Sequence, residues 1–292
     1  MTTLGAIFLP HLPPERLRSV AQAADQAGLE QLWLWEDCFK ESAVAAMAAA
    51  LAWTERLQVG IGLMPVPMRN VATVAMEAAT LERLFPGRPV IGVGHGVLDW
   101  MGQIGARAAS PLTLLGEHLD ALRALLAGGS VTTEGRYVTL KDVRLDWPPT
   151  SAPAVLAGAE GPKTLALAGA KADGLILPGG TDPDRLRQAV ATAQAGRDEA
   201  GVDAPMRVVV FVPVAFGEQS DADARLEANR LRWQWPAHRL LGVAGDAAHV
   251  AAGLQPWIDA GADTVVLQPM DDEPDPEEFV RTVAQQVRPL VD

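Results

Sequence analysis

The chain has 292 residues, 49% hydrophobic and 21% charged, which is apolar material enough for a large core in an ordinary globular protein. A formal net charge of −12 sets long-range repulsion against nucleic acid and anionic membrane surfaces, so neither is expected as a partner. The single cysteine, Cys38, permits no intramolecular disulfide and no cysteine-based metal framework; this fits a reducing, cytoplasmic setting, and no metal site is expected.

Short apolar runs alternate with amphipathic helical patterns along the chain, the signature of parallel βαβ units. Leu4 to Leu9 is the first strand. Pro13 and Pro14 open a helix in which Leu17, Val20, Ala21 and Ala24 recur at helical spacing, and Gly28 is placed to end it. Leu32 to Trp35 is the second strand, Ala43 to Thr54 a helix, and Leu57 to Leu63 the third strand. Val71, Val74, Ala78, Leu81 and Phe85 carry the next helix toward Pro86-Gly87, and Pro89 to Val93 is strand four.

Leu112, Leu115, Leu119, Leu122 and Leu126 form the cleanest amphipathic helix, ended by Gly128-Gly129. Ala154 to Ala157 is strand five, a helix starts near Pro162, and Gly174 to Leu177 is strand six. Pro183 to Ala200 is a helix and Arg207 to Val214 strand seven. Asp246 to Ala260 and Asp263 to Leu267 make the last helix-strand step, before a C-terminal helix through Phe279, Val283, Val287 and Leu290.

About eight such units close a parallel (β/α)8 TIM barrel, with an open doubly wound sheet as the alternative. Val131 to Leu145 reads as a hairpin inserted before strand five, and residues 217–245, with Trp233, Trp235 and Pro236, as an insertion after strand seven. No linker divides residues 1–292, so one domain is expected. No stretch approaches the roughly 18 uninterrupted apolar residues of a membrane span, and Met1 to Pro10 carries no basic leader; the chain reads as neither secreted nor membrane-spanning.

Barrel enzymes do their chemistry at the C-terminal ends of the strands. There the sequence places His11 after strand one, Glu36, Asp37 and Cys38 after two, Met64 and Arg69 after three, and His95 and Asp99 after four. Glu160 follows strand five, Pro178-Gly179-Gly180 six, Phe216 seven, and Gln268 with Met270 eight. His11 has no second histidine two residues away, strand seven ends without an acid, and no lysine falls within a barrel strand. Metal-dependent hydrolysis, glycoside hydrolysis and Schiff-base chemistry each lack a residue type they need. A site this poor in reactive side chains suits an enzyme whose cofactor performs the difficult step.

Two glycine-rich loops bear on that cofactor: Gly92-Val93-Gly94-His95-Gly96, and Gly158-Ala159-Glu160-Gly161-Pro162 leading into a helix. Either they offer backbone N–H groups and a helix N-terminus to a phosphate, or they merely make tight turns. Neither matches the dinucleotide fingerprint.

Several stretches together resemble the luciferase-like monooxygenase superfamily, in particular its branch similar to coenzyme F420-dependent methylene-tetrahydromethanopterin reductases and related dehydrogenases. They are Ala23 to Leu29 running into Leu32 to Asp37, Val59 to Pro65, Ala79 to Leu84, Gly87-Arg88, Gly92 to Gly96, the Val131 to Leu145 hairpin, and Gly161-Pro162-Lys163 through Ala168-Gly169 to Gly174. The resemblance implies a (β/α)8 barrel with an isoalloxazine-like ring in its mouth. Asp37 would lie beside the ring, and Gly62, Leu63 and Met64 would back its face, with a cis peptide after Gly62. Gly94, His95, Gly96, Asp99, Gly158, Ala159, Glu160 and Gly161 would hold the ribityl-phosphate tail. Pairing of barrels is common among such proteins, which implies a homodimer.

Dehydrogenases of this branch carry a histidine beside the strand-two aspartate and an acid after the strand-four glycines; here Cys38 and Val97 stand there. The difference argues for reduction of an activated double bond, for oxygen chemistry, or for lost activity. His11, Asp37 and Cys38 are the catalytic candidates. His118, His238 and His249 read as structural, and Trp33 and Trp35 as barrel packing. The leading expectation is hydride transfer between coenzyme F420 and a small organic substrate. The alternatives are an FMN-dependent monooxygenase using separately reduced flavin, and a non-catalytic barrel that binds flavin or another ligand.

Overall fold

The structure, a computed structural model, describes residues 2–239 and 241–291. In chain order its first half comprises β1 (Thr3–Phe8), α1 (Leu17–Ala27), β2 (Gln31–Leu34), α2 (Ala43–Trp53), β3 (Gln58–Pro65), α3 (Val71–Leu84), β4 (Pro89–Gly94), α4 (Leu98–Gln103) and α5 (Pro111–Leu126). A hairpin follows, β5 (Val131–Glu134) and β6 (Thr139–Val143), then β7 (Val155–Gly158), α6 (Pro162–Lys171), β8 (Gly174–Leu177) and α7 (Pro183–Glu199). The remainder is β9 (Arg207–Phe216), α8 (Gln219–Arg232), β10 (Val243–Gly245), α9 (Ala247–Asp259), β11 (Thr264–Pro269) and α10 (Pro276–Thr282).

The order β1-β2-β3-β4-β7-β8-β9-β11 is parallel throughout, and β11 pairs back onto β1, closing an eight-stranded (β/α)8 barrel. The expected hairpin is β5–β6. The insertion after β9 holds a helix, α8, and a short strand, β10, that pairs with the upper end of β9. Sequence reading gave that insertion no elements of its own, because α8 is polar on most sides and buries only Ala222 and Asn229.

Local signals account for the helix boundaries. Side chains of Ser42, Asn70, Ser110, Asp182, Asp246 and Asp275 accept backbone N–H bonds at the starts of α2, α3, α5, α7, α9 and α10. Proline stands in the first turn of α5, α6, α7 and α10. Gly28 ends α1 at φ +83°, a backbone conformation that glycine adopts freely. Where α6 crosses α7, a side chain at Gly169 would meet the Ala193 carbonyl oxygen at 1.8 Å, so the contact is backbone on backbone.

Two apolar layers result. The larger lies between the strands and the surrounding helices. The smaller fills the barrel with Ile7, Leu9, Trp33, Val90, Leu156, Ile176, Val209, Phe211 and Val266. Trp33 is fully buried at the centre because its neighbours are glycines: a Cβ at Gly60 would stand 2.5 Å from its ring, and one at Gly5 or Gly62 3.1 Å. The expectation that Trp33 packs the barrel is met.

Candidate active site

The mouth stands on an aromatic floor. Phe211 meets Trp33 edge-on at 5.7 Å and stacks on Trp35 at 5.9 Å, so the barrel core is aromatic where these strands meet. Above it β3 leaves its regular register against β4 between Ile61 and Met64, and the Gly62–Leu63 peptide there is cis. This displacement sends the Leu63 side chain across the ends of two neighbouring strands. A Cβ at Gly94 would lie 2.5 Å from Leu63 Cδ2, and one at Gly158 2.2 Å from it. Gly94 and Gly158 are therefore glycine to admit Leu63, and Gly96, at φ +69°, to pass Pro65. Gly161 differs: nothing lies within 4 Å of where its side chain would be, and no positive φ requires glycine there. It precedes Pro162 at the open N-terminus of α6.

The loop from β2 to α2 is clamped at both ends. Glu36, buried, receives both arms of the Arg69 guanidinium, one at 2.6 Å, and its Oε1 also accepts the Ala43 N–H at 3.2 Å. Such a two-pronged, water-excluded pair fixes geometry tightly. Between the clamps the Lys40 N–H bonds back to the Asp37 carbonyl at 2.9 Å. Burial pushes the Asp37 carboxyl up, against the opposing charge of Lys40. The Cys38 thiol is also pushed up, first by burial and then by Glu36 and Asp37, so it stays neutral; its sulfur lies 3.5 Å from Met68 Sδ. Burial lifts Glu41 further, to about 7.

On the far side of the rim a cleft of about 470 Å³ opens between the ends of β7 and β8, the start of α7 and the insertion after β9. Trp235 closes one wall, so near Gly180 that a Cβ there, already at φ +88°, would enter the indole ring at 2.6 Å. Two cations serve the cleft, Arg185 and Arg239, the latter held 3.1 Å from Asp182. His95, between this cleft and β4, bonds through Nε2 to Thr164 Oγ1 of α6 at 3.2 Å. Burial lowers its pKa, with the Pro111 backbone opposing, so the ring is neutral at pH 7. His11 is exposed, 3.9 Å from Asp271; burial, Lys40 and Arg232 lower its pKa.

The structure brings Asp37, Gly62, Leu63, Met64, Gly94, His95, Gly96, Gly158, Ala159 and Gly161 onto one rim, since β2, β3, β4 and β7 are successive parallel neighbours. Of the residues expected at the strand ends, Glu160, Pro178, Gly179 and Gly180 line the cleft. Asp99 is exposed on the first turn of α4. Sequence reading missed Glu41, Arg185 and Arg239. Glu41 lies four residues beyond Asp37, and Arg239 shortly after Trp235-Pro236, but nothing in either spacing reveals burial or convergence.

Buried polar atoms without partners gather at this rim: Trp35 Nε1, both Glu41 oxygens, His95 Nδ1 and Gln268 Oε1. Such atoms are costly inside a fold.

A family model described as luciferase-like monooxygenase matches residues 3–273. Among curated proteins the chain is similar to a 5,10-methylenetetrahydromethanopterin reductase of Methanolobus tindarius, 28% identical over 220 residues, covering 75% of this chain and 67% of that one. It is also similar to an F420-dependent glucose-6-phosphate dehydrogenase of Microbacterium testaceum (strain StLB037), 26% identical over 319 aligned residues, covering 94% of this chain and 93% of that one. Among solved structures, the coenzyme F420-dependent tetrahydromethanopterin reductase from Methanopyrus kandleri shares the fold, with TM-score 0.85 and 21% identity over 100% of this chain and 99% of that one.

Proposed function

The chain belongs to the luciferase-like monooxygenase family and is an enzyme of that class, and from that premise we propose that it passes a hydride between coenzyme F420, a deazaflavin, and a small organic substrate at the mouth of its barrel. The observation that carries this reading is the cleft at the ends of β7 and β8, served by two arginines, on the same rim as the loops after β2, β3 and β4. A planar group with polar edges and an anionic end has complementary partners in both. Two curated relatives of the chain are named for coenzyme F420 or for a reductase of this branch.

The residues present fit such a cofactor. Asp37, Gly62, Leu63 and Met64 stand where they would flank its ring above the aromatic floor. Gly94, His95, Gly96, Gly158, Ala159, Glu160 and Gly161 border the path of its tail. The N-terminus of α6, with a partial charge of about +0.5, and the two arginines offer compensation for an anionic end. When bound, the cofactor supplies the hydride donor and acceptor carbon. The chain's own side chains orient it, exclude water and handle protons. A neutral Cys38 adds no competing charge near the ring, and a neutral His95 none along the tail.

A homodimer accompanies this reading. It is supported by α2, Ala43–Trp53, an 11-residue surface helix without one polar side chain, whose Ala45 and Ala52 face outward.

Fluorescence titration with coenzyme F420 and with FMN tests the proposal. Binding of the deazaflavin is expected, weakened by Gly161→Val, whose Cβ would meet no protein atom within 4 Å. Tight FMN binding with no deazaflavin binding would replace the proposal with a flavin-dependent monooxygenase.

A further inference from the structure

Three large apolar side chains stand in water at the upper rim: Phe39 on the loop after β2, 60% exposed, and Val97 and Leu98 at the start of α4, 46% and 44% exposed. Their loops are held. The Glu36–Arg69 pair and the Glu36 bond to the Ala43 N–H fix residues 37–42 at both ends, and the Lys40 N–H closes on the Asp37 carbonyl at 2.9 Å, so Phe39 sits in a pinned turn. Val97 and Leu98 are anchored by Met101, 1% exposed, whose N–H bonds to the Val97 carbonyl at 3.0 Å and whose sulfur lies 3.4 Å from where a Gly96 Cβ would stand. An apolar side chain held rigidly in water gains on being covered and loses little freedom when it is.

The loops behind these side chains touch one another. Cys38 Sγ lies 3.5 Å from Met68 Sδ, which joins the loop after β2 to the one after β3, and a Cβ on Gly96 would lie 2.7 Å from Pro65 Cβ, which joins the end of β3 to the loop after β4. Since β2, β3 and β4 are successive parallel neighbours, Phe39, Cys38, Met68, Pro65, Val97 and Leu98 line one arc of the rim. The arc has no surplus of positive charge. Lys40 acts on Asp37 and Glu41, Arg69 is engaged by Glu36 and lies 3.6 Å from Glu77, and Asp99 is an acid. The same loops carry Asp37 and His95, so the arc is continuous with the mouth.

We propose that this arc is the substrate side of the mouth and takes an uncharged, apolar carbonyl or ene compound, with Phe39 as the specificity-determining contact; this rests on the oxidoreductase reading above. The rim is then divided. Arg185 and Arg239, in the cleft at the ends of β7 and β8, serve the anionic end of the cofactor, and the arc after β2, β3 and β4 covers the apolar substrate. Covering one large apolar side chain strengthens binding by about 10- to 100-fold. A phosphorylated or carboxylated substrate gains no such term and meets no uncompensated cation on this side.

Fluorescence titration of the ligand-free full chain with N-phenylnaphthylamine, a neutral apolar fluorophore, reads the arc directly. Saturable binding is expected, weakened about 10- to 100-fold by Phe39→Ser and by Val97→Ser, with affinity for inorganic phosphate in the cleft unchanged. Equal affinity in native chain and variants overturns the proposal. Sedimentation velocity of the same proteins tests the other way of covering the arc: a native dimer that Phe39→Ser converts to monomers assigns it to a second copy and overturns the substrate role. In turnover with reduced coenzyme F420, Phe39→Ser is expected to raise KM for cyclohexenone about 10- to 100-fold with kcat little changed, and Phe39→Leu to restore it. Preference for a phosphorylated substrate over the neutral one overturns the proposal. If neither coenzyme F420 nor FMN binds the native chain, the hydride reading fails and the substrate role with it, while the fluorophore titration still reports whether the arc takes an apolar ligand.

Discussion

His118 gives a quantitative link between burial and acid sensitivity. It lies on the inner face of α5, 1% exposed, with Nε2 unpartnered beside a small cavity of about 50 Å³ that Arg69, Asn70, Tyr137 and Thr139 also line. Burial lowers its pKa from 6.5 to about 4. Between those values the unfolded chain binds a proton that the folded chain refuses. The contribution of His118 is therefore complete above pH 6.5 and is lost as pH falls toward 4. The full difference is about 3 kcal/mol, and about 2 kcal/mol of it falls between roughly pH 7 and pH 5. His118→Leu removes the titrating group and keeps an apolar side chain in its place. Urea unfolding of both proteins at the two pH values isolates the term, since every other titrating group is common to them. With a slope of about 2 kcal/mol/M, the native midpoint should fall about 1 M further than that of the variant. Equal falls would refute the claim that His118 is held neutral by burial.

Three further outcomes test other parts of the account. Arg185→Ala and Arg239→Ala should each weaken binding of inorganic phosphate by about 10- to 100-fold, the worth of one charge-assisted hydrogen bond, read from Trp235 fluorescence or calorimetry; unchanged affinity would remove the anionic end from that cleft. Gly60→Ala drives a methyl group to 2.5 Å from the Trp33 ring, so overpacking of about 1–3 kcal/mol should lower the melting temperature, and a neutral result would place Trp33 elsewhere. Ala45→Glu with Ala52→Glu puts two charges on the outer face of α2 and should yield monomers in sedimentation velocity if that face joins two copies.

How much of this was legible beforehand depends on the range of the interaction. Hydrophobic period, caps and prolines act within one turn or strand, so the eight βα units, the hairpin and the Gly28 terminus could all be read from local sequence. The centre of the barrel could be anticipated only in part: Trp33 shows as apolar, but that Gly60 and Gly62 yield it space depends on register between strands. The same holds for Gly94 and Gly158. Their glycines look like phosphate cradles in isolation, and only the path of Leu63 shows a packing requirement. Glu41, Arg185 and Arg239 escaped notice because burial and convergence of distant loops are not written in spacing.

The two ends of the barrel treat polar groups in opposite ways, and the contrast bears on where the chemistry lies. At the N-terminal end, charged side chains are spent on backbone. Arg197, 2% exposed, donates to the carbonyls of Ala204, Gly169, Ala172 and Pro205, and Arg88 to those of Leu57, Leu51 and Thr54. Asp25 accepts the N–H groups of Glu55, Arg56 and Leu57 just ahead of β3, and Asp263 that of Val208. These arrangements close loops and satisfy strand ends, and they leave no functional group poised. At the C-terminal end, Trp35, Glu41, His95 and Gln268 stay unsatisfied within a framework made rigid by the Glu36–Arg69 pair. Each unmade bond costs about 1–3 kcal/mol, which a large apolar core can carry. Glu82, His118 and Asn229 also hold unpartnered buried atoms, so what sets the four at the rim apart is their place at the strand ends. Their survival at one rim, on three separate strands, is what a site shaped for a ligand requires.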